Sequence, residues 1–125
     1  LLVCRYRHAA QRWSLEFPRF AGETSDEGWL HAAAQSLRQD VGLAAASYTL
    51  LGGFQPDVTM QATNTIVVLA TGCEPQVLPA NDTRTLIIGA LGVAPSEIGQ
   101  LVQRGGITCG VSLAALALYL AQKRP

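Results

Sequence analysis

Three polar side chains in this 125-residue sequence have a spacing that could do chemistry. Ser36, Gln39 and Asp40 stand at i, i+3 and i+4, so on a helix they share one exposed face. A hydroxyl, an amide and a carboxylate are oxygen donors of the kind a hard cation takes. Read alone, the trio is an ordinary solvated helix face. The loop before it holds Gly22, Glu23, Asp26, Glu27 and Gly28. Its acids would border the same face, or would simply favour the helix N-terminus through the macrodipole. Nearer the start, Arg5, Arg7 and His8 form a basic group, and Glu16 lies between Leu15 and Phe17. The two arginines could be charges that protect a sheet edge from aggregation. Glu16 must point away from its strand neighbours, to solvent or into a pocket. His8 and His31 have no triad partner and read as surface histidines. GxGxxG, GxxxxGK[ST], HExxH and GxSxG are all absent.

These residues need elements to position them. Residues 1–7 and 13–17 read as strands, the second stopped by Pro18. Leu30, Ala33, Ala34, Leu37 and Val41 fall at helical spacing and predict an amphipathic helix that ends at Gly42. Residues 48–55, 65–70 and 86–91 read as further strands, with a polar loop around 57–64. Pro95 can open a helix that presents Ile98, Leu101 and Val102 to the core and stops at Gly105-Gly106. Ser112 is expected to cap a last, very apolar and buried helix through Gln122. Helices interleave irregularly with strands, which predicts an α/β (α+β) class with a mixed sheet and helices on both faces.

Composition narrows the function classes. Nine Lys+Arg balance nine Asp+Glu, without the basic excess of a nucleic-acid binder. With 49% hydrophobic and 14% charged residues, this is not a disordered composition. The longest apolar run, residues 113–121, is about half of a membrane span, so no membrane partner is expected. Cys4, Cys73 and Cys109 are an odd number with no CxxC, so a disulfide framework or zinc site is not expected and a cytoplasmic location is. The chain opens on Leu1 with strand-like residues, so upstream residues are expected to be missing.

The loop and helix together resemble the Nudix box. Residues 32–43, AAAQSLRQDVGL, follow its helical half: small residues, then Arg-Glu-Leu, one residue, Glu-Glu, one residue, Gly and an apolar residue. The likeness extends along the chain and is closest to the ADP-ribose pyrophosphatase branch of the Nudix hydrolases. Leu2-Val3-Cys4-Arg5-Tyr6-Arg7-His8 resembles that branch's Leu-Val-x-Gln-Tyr-Arg-His. Trp13-Ser14-Leu15-Glu16-Phe17-Pro18 resembles its Trp-x-x-Glu-Leu-Pro, and Ala21-Gly22 the Ala-Gly that follows. Gly53-Phe54-Gln55-Pro56 matches the strand entering the substrate loop, and Gly105-Gly106-Ile107-Thr108 with residues 113–120 resembles the C-terminal element. The resemblance implies a Nudix-like α/β/α sandwich, one domain over residues 1–125 without its N-terminal strands. It implies Mg²⁺ as cofactor, a nucleoside-diphosphate-type small molecule as partner, and a homodimer. It further implies that Arg7 and Glu16 bind substrate, and that Asp40, Glu27 and Glu23 hold metal, with Asp40 and Glu27 in the catalytic role.

The departures from the family pattern fall on its charged positions. Where active members carry metal-holding glutamates on the helix, this chain has Ser36, Gln39 and Asp40, and Gln35 replaces the supporting arginine. The substrate loop has lost its acidic end across residues 57–63, and the late acidic loop keeps only Asp82. Pyrophosphate cleavage uses metal to neutralise phosphate oxygens and to activate water. One carboxylate in place of three predicts weak or absent hydrolysis in a cleft that still binds nucleotide. Two alternatives remain open. One is an active Mg²⁺-dependent hydrolase with relocated carboxylates (Glu23, Asp26, Glu27, Asp40, Asp82). The other is a protein-interaction or regulatory module.

Overall fold

The computed structural model describes residues 1–22, 25, 28–76 and 87–122. Glu23, Asp26, Glu27 and Asp82 therefore lie outside the described residues.

The first strand, β1 (Leu2–Arg7), returns through a short 3₁₀ turn into β2 (Arg12–Glu16). Helix α1 (Gly28–Ser36) follows, continued by a π-helical turn over Leu37–Val41. Then come β3 (Leu43–Ala44), β4 (Ser47–Phe54), β5 (Thr65–Thr71), β6 (Glu74–Pro75) and β7 (Ile87–Leu91), and the helices α2 (Pro95–Gln103) and α3 (Gly110–Gln122). The class follows the sequence expectation, and so does the order apart from the two-residue strands β3 and β6, which were not expected. Strand β1 is the centre of a β2-β1-β7 sheet, β3 pairs β6, and β4 pairs β5. Every described pairing is antiparallel, so the parallel pairs of a mixed sheet do not occur among the described residues.

Alternation along β1 and β2 sorts their side chains. Val3 pairs Glu16, Arg5 pairs Ser14 and Arg7 pairs Arg12, so these share one face. Leu2 and Leu15 point the other way and join Ile98, Ile107, Leu101, Leu113 and Leu116 in the core. Helices α2 and α3 thus cover the apolar side of the sheet and leave the charged side to the rest of the chain.

Three expectations need correction. The helix over residues 30–41 is not uniformly α: its last turn widens over Leu37–Val41 before Gly42, at φ 73°, ends it and donates its N–H to Arg38 O at 3.0 Å. Of the expected stripe, Leu37 is buried but Leu30 is exposed. Ser112 is not a cap. It is the third residue of α3, buried, and its Oγ accepts the Phe17 N–H at 3.1 Å. That N–H lies just past the end of β2, and the Ser112 hydroxyl satisfies it. Helix α3 is less enclosed than its composition predicts. It lies on one side of β4 and β5, with Leu118 over Gly52 and Gln122 Nε2 donating to Leu51 O at 3.2 Å, while Leu120 is exposed.

Candidate functional site

The charged face of β1 and β2 carries the densest group of ionic contacts among the described residues. Glu16, the last residue of β2, is only 2% exposed. Arg7 grips it with two parallel contacts, Nε to Oε1 at 2.8 Å and Nη2 to Oε2. This fork geometry is what a planar guanidinium offers a carboxylate. Arg19, three residues on, places Nε 3.3 Å from Glu16 Oε2. Burial alone pushes the Glu16 carboxyl up. Hydrogen bonds from Arg7 and Ser14 and the charges of Arg19 and Arg7 outweigh it and hold the group below its ordinary range. The same hydrogen bond, donated by Arg7 to Glu16, raises Arg7 against the opposing effect of burial.

Arg5 connects this pair to the helix. Its Nη1 donates to Arg19 O at 3.2 Å, and its Nη2 lies 3.7 Å from Asp40 Oδ2 on the π-helical turn. Its Nε is buried without a hydrogen-bond partner among the described residues. The sequence-predicted residues Arg7, Glu16 and Asp40 are therefore brought together through Arg5 and Arg19. Sequence reading gave Arg5 only an edge-protecting role and did not single out Arg19. The signal was present: Arg5, Arg7 and Glu16 have the parity of one sheet face, and Arg19 follows Glu16 at i+3. Among the described residues, three guanidiniums against two carboxylates leave this group with one net positive charge.

The helix face itself is sparse in anions. Gln35 and Gln39 are exposed, Ser36 and Asp40 half-buried. Among the described residues no group of three or more His, Cys, Asp or Glu is placed to hold a metal ion. A hydroxyl, an amide and one carboxylate that already has a guanidinium beside it do not suit a cluster of Mg²⁺ ions, which prefers carboxylate and water oxygens.

A concavity lies at the loop end of the β4–β5 hairpin. It encloses about 380 Å³ and is lined by Phe54, Gln55, Asn64 and their neighbours. The loop beyond it is shaped by Asp57, whose Oδ1 accepts from the Thr59 N–H at 2.9 Å and the Thr59 hydroxyl at 2.6 Å. These bonds hold the Asp57 carboxyl below its ordinary range.

No family model matches the sequence, and no curated protein does either. Among solved structures, the crystal structure of an ADP compounds hydrolase matches with a TM-score of 0.82 at 17% identity, covering 97% of this chain and 64% of that one. The chain has a Nudix-like α+β fold. It spans less than two thirds of that neighbour's length. Within the described residues, no helix is long and apolar enough to cross a membrane.

Proposed function

We propose that this chain is a Nudix-type domain that binds a nucleoside-diphosphate ligand such as ADP-ribose and hydrolyses it weakly or not at all. The observation that carries the reading is the cluster of Arg5, Arg7 and Arg19 around two carboxylates. A guanidinium has five N–H donors. Arg7 gives two of them to Glu16, and Arg19 and Arg5 each contact carboxylate through a single nitrogen. The remaining donors and the net positive charge suit the oxygens of a diphosphate. In this reading Arg7 contacts the ligand, and Glu16 orients Arg7 and Arg19. The structural neighbour's activity on ADP compounds agrees with that ligand class.

Asp40, with Glu27 and Glu23, is the remaining candidate set for metal and catalysis. Asp40 lies beside Arg5, which lowers its value as a ligand for a second cation. If the missing helix carboxylates supplied about 4–6 kcal/mol of transition-state stabilisation, their loss slows hydrolysis by roughly 10³–10⁴. Calorimetric titration with ADP-ribose, combined with phosphate-release assays in Mg²⁺ and Mn²⁺, tests the reading. Saturable binding with little product is expected. Metal-dependent turnover at ordinary enzyme rates refutes it.

A further inference from the structure

Two of the ion pairs at the site, Arg7–Glu16 and Arg5–Asp40, differ in geometry. Arg7 and Glu16 form a fork with both carboxylate oxygens engaged, and Glu16 is buried. Arg5 and Asp40 do not. Their closest nitrogen and oxygen are 3.7 Å apart, beyond hydrogen-bond distance, and both side chains keep about a fifth of their surface accessible, at 18% and 21%. Arg5 makes one hydrogen bond to Arg19 O, while its Nε makes none among the described residues. A buried donor left without an acceptor is costly and uncommon in a finished structural contact. The fold therefore holds a positive charge against the helix carboxylate with donor capacity left over.

We propose that Arg5 is the resident cation of this site: its guanidinium stands beside Asp40, where the donor set does not suit a metal cluster, and supplies positive charge for the oxygens of a bound diphosphate. The inference rests on the proposed ligand class and deepens it, since it makes that binding independent of divalent metal. Arg suits the role because its charge persists at every working pH and its donors are planar and several. The Arg19 carbonyl holds Arg5 in place through its hydrogen bond, and Asp40 stands beside the charge at the helix end. No bond is made or broken in this step. The ligand exchanges solvent and counterions for the guanidinium donors.

The test uses the 125-residue chain, titrated calorimetrically with inorganic pyrophosphate and with ADP-ribose, in EDTA and in Mg²⁺. The unaltered chain is expected to bind with affinities that agree within about twofold in the two buffers. Arg5→Gln should weaken binding in EDTA by about ten- to a hundredfold, the loss of one charge-assisted contact. Asp40→Asn, which removes a negative charge and leaves Arg5, should tighten it. A separate readout needs no nucleotide. Arg5→Gln should bind Mn²⁺, followed by electron paramagnetic resonance, about tenfold more tightly than the unaltered chain, because a cation no longer competes for Asp40. Circular dichroism checks the fold of each variant. Binding that requires Mg²⁺, an Arg5→Gln affinity within about twofold of the original, or weaker binding by Asp40→Asn overturns the inference. If the unaltered chain binds neither compound, the proposed ligand class fails. The Mn²⁺ comparison then decides the place of Arg5 by itself, with unchanged affinity overturning it. Should Arg5→Gln not fold, the Asp40→Asn result decides.

Discussion

Replacing Arg7 with methionine keeps most of the side chain's length and deletes its guanidinium. Glu16 is 2% exposed and takes two contacts from Arg7, so the substitution leaves a buried carboxylate that water does not reach. Removing one partner of a buried pair costs about 3–5 kcal/mol. Arg19 stays 3.3 Å away and the Arg7 side chain is itself 29% exposed. Both facts place the loss near the lower end, about 3 kcal/mol. That is a large share of a stability of about 5–15 kcal/mol, and it lowers the melting temperature by roughly 10 °C for a chain of this size. The sign of the pH dependence follows from the carboxyl. Its folded-state pKa lies below the unfolded value, so Glu16 contributes stability above the ordinary carboxyl range near about 4.3, lost as pH falls through the folded value. In Arg7→Met burial is less opposed and the folded-state pKa rises, so protonation at low pH relieves much of the penalty. Urea unfolding followed by circular dichroism at pH 7 and near pH 4 measures both quantities. The variant should be weakest relative to the unaltered chain at pH 7, and the gap should narrow in acid. A loss under about 0.5 kcal/mol at pH 7, the range of ordinary surface substitutions, refutes the reasoning; so does a gap that is the same at both pH values.

Ser112→Ala should cost about 1–2 kcal/mol in thermal melts, because the Phe17 N–H at the end of β2 loses its acceptor in a buried setting. A neutral effect would mean another group takes over that bond. Ser36→Glu combined with Gln39→Glu returns two carboxylates to the helix face beside Asp40. It should raise Mg²⁺-dependent phosphate release from ADP-ribose at least about tenfold over the unaltered chain, and an unchanged rate would show that charge on this face is not what limits the chemistry. Mn²⁺ binding in the same double variant should strengthen in parallel, measured by electron paramagnetic resonance.

Much of the scaffold could be read from the sequence because its elements obey strong local rules. The strand-like residues Leu1, Leu2 and Val3 marked β1, the helical spacing of apolar residues marked α1 and α2, and Gly42 marked a helix end that does need a left-handed residue. What was not legible depends on contacts between distant segments. The widened turn at Leu37–Val41 follows no local signal, although it carries Gln39 and Asp40. Ser112 resembled a cap by position, and only the tertiary packing of α3 against the end of β2 turns it into an acceptor for Phe17. The exposure of Leu30 and Leu120 reflects helices covered on one side only, which composition does not report. For the site, the family resemblance named Arg7 and Glu16, and the register of β1 against β2 puts them on one face. Arg19 acts from a loop, and the link from Arg5 to Asp40 spans 35 positions of sequence with no pattern to announce it.

A single experiment reaches the central claim most directly: ADP-ribose is titrated into the chain by calorimetry in Mg²⁺, and product is then measured in the same sample. The account predicts saturable binding with turnover at least about 10³-fold below the ordinary enzyme range of about 1–10³ per second. Turnover within that range, or no binding at all, contradicts it.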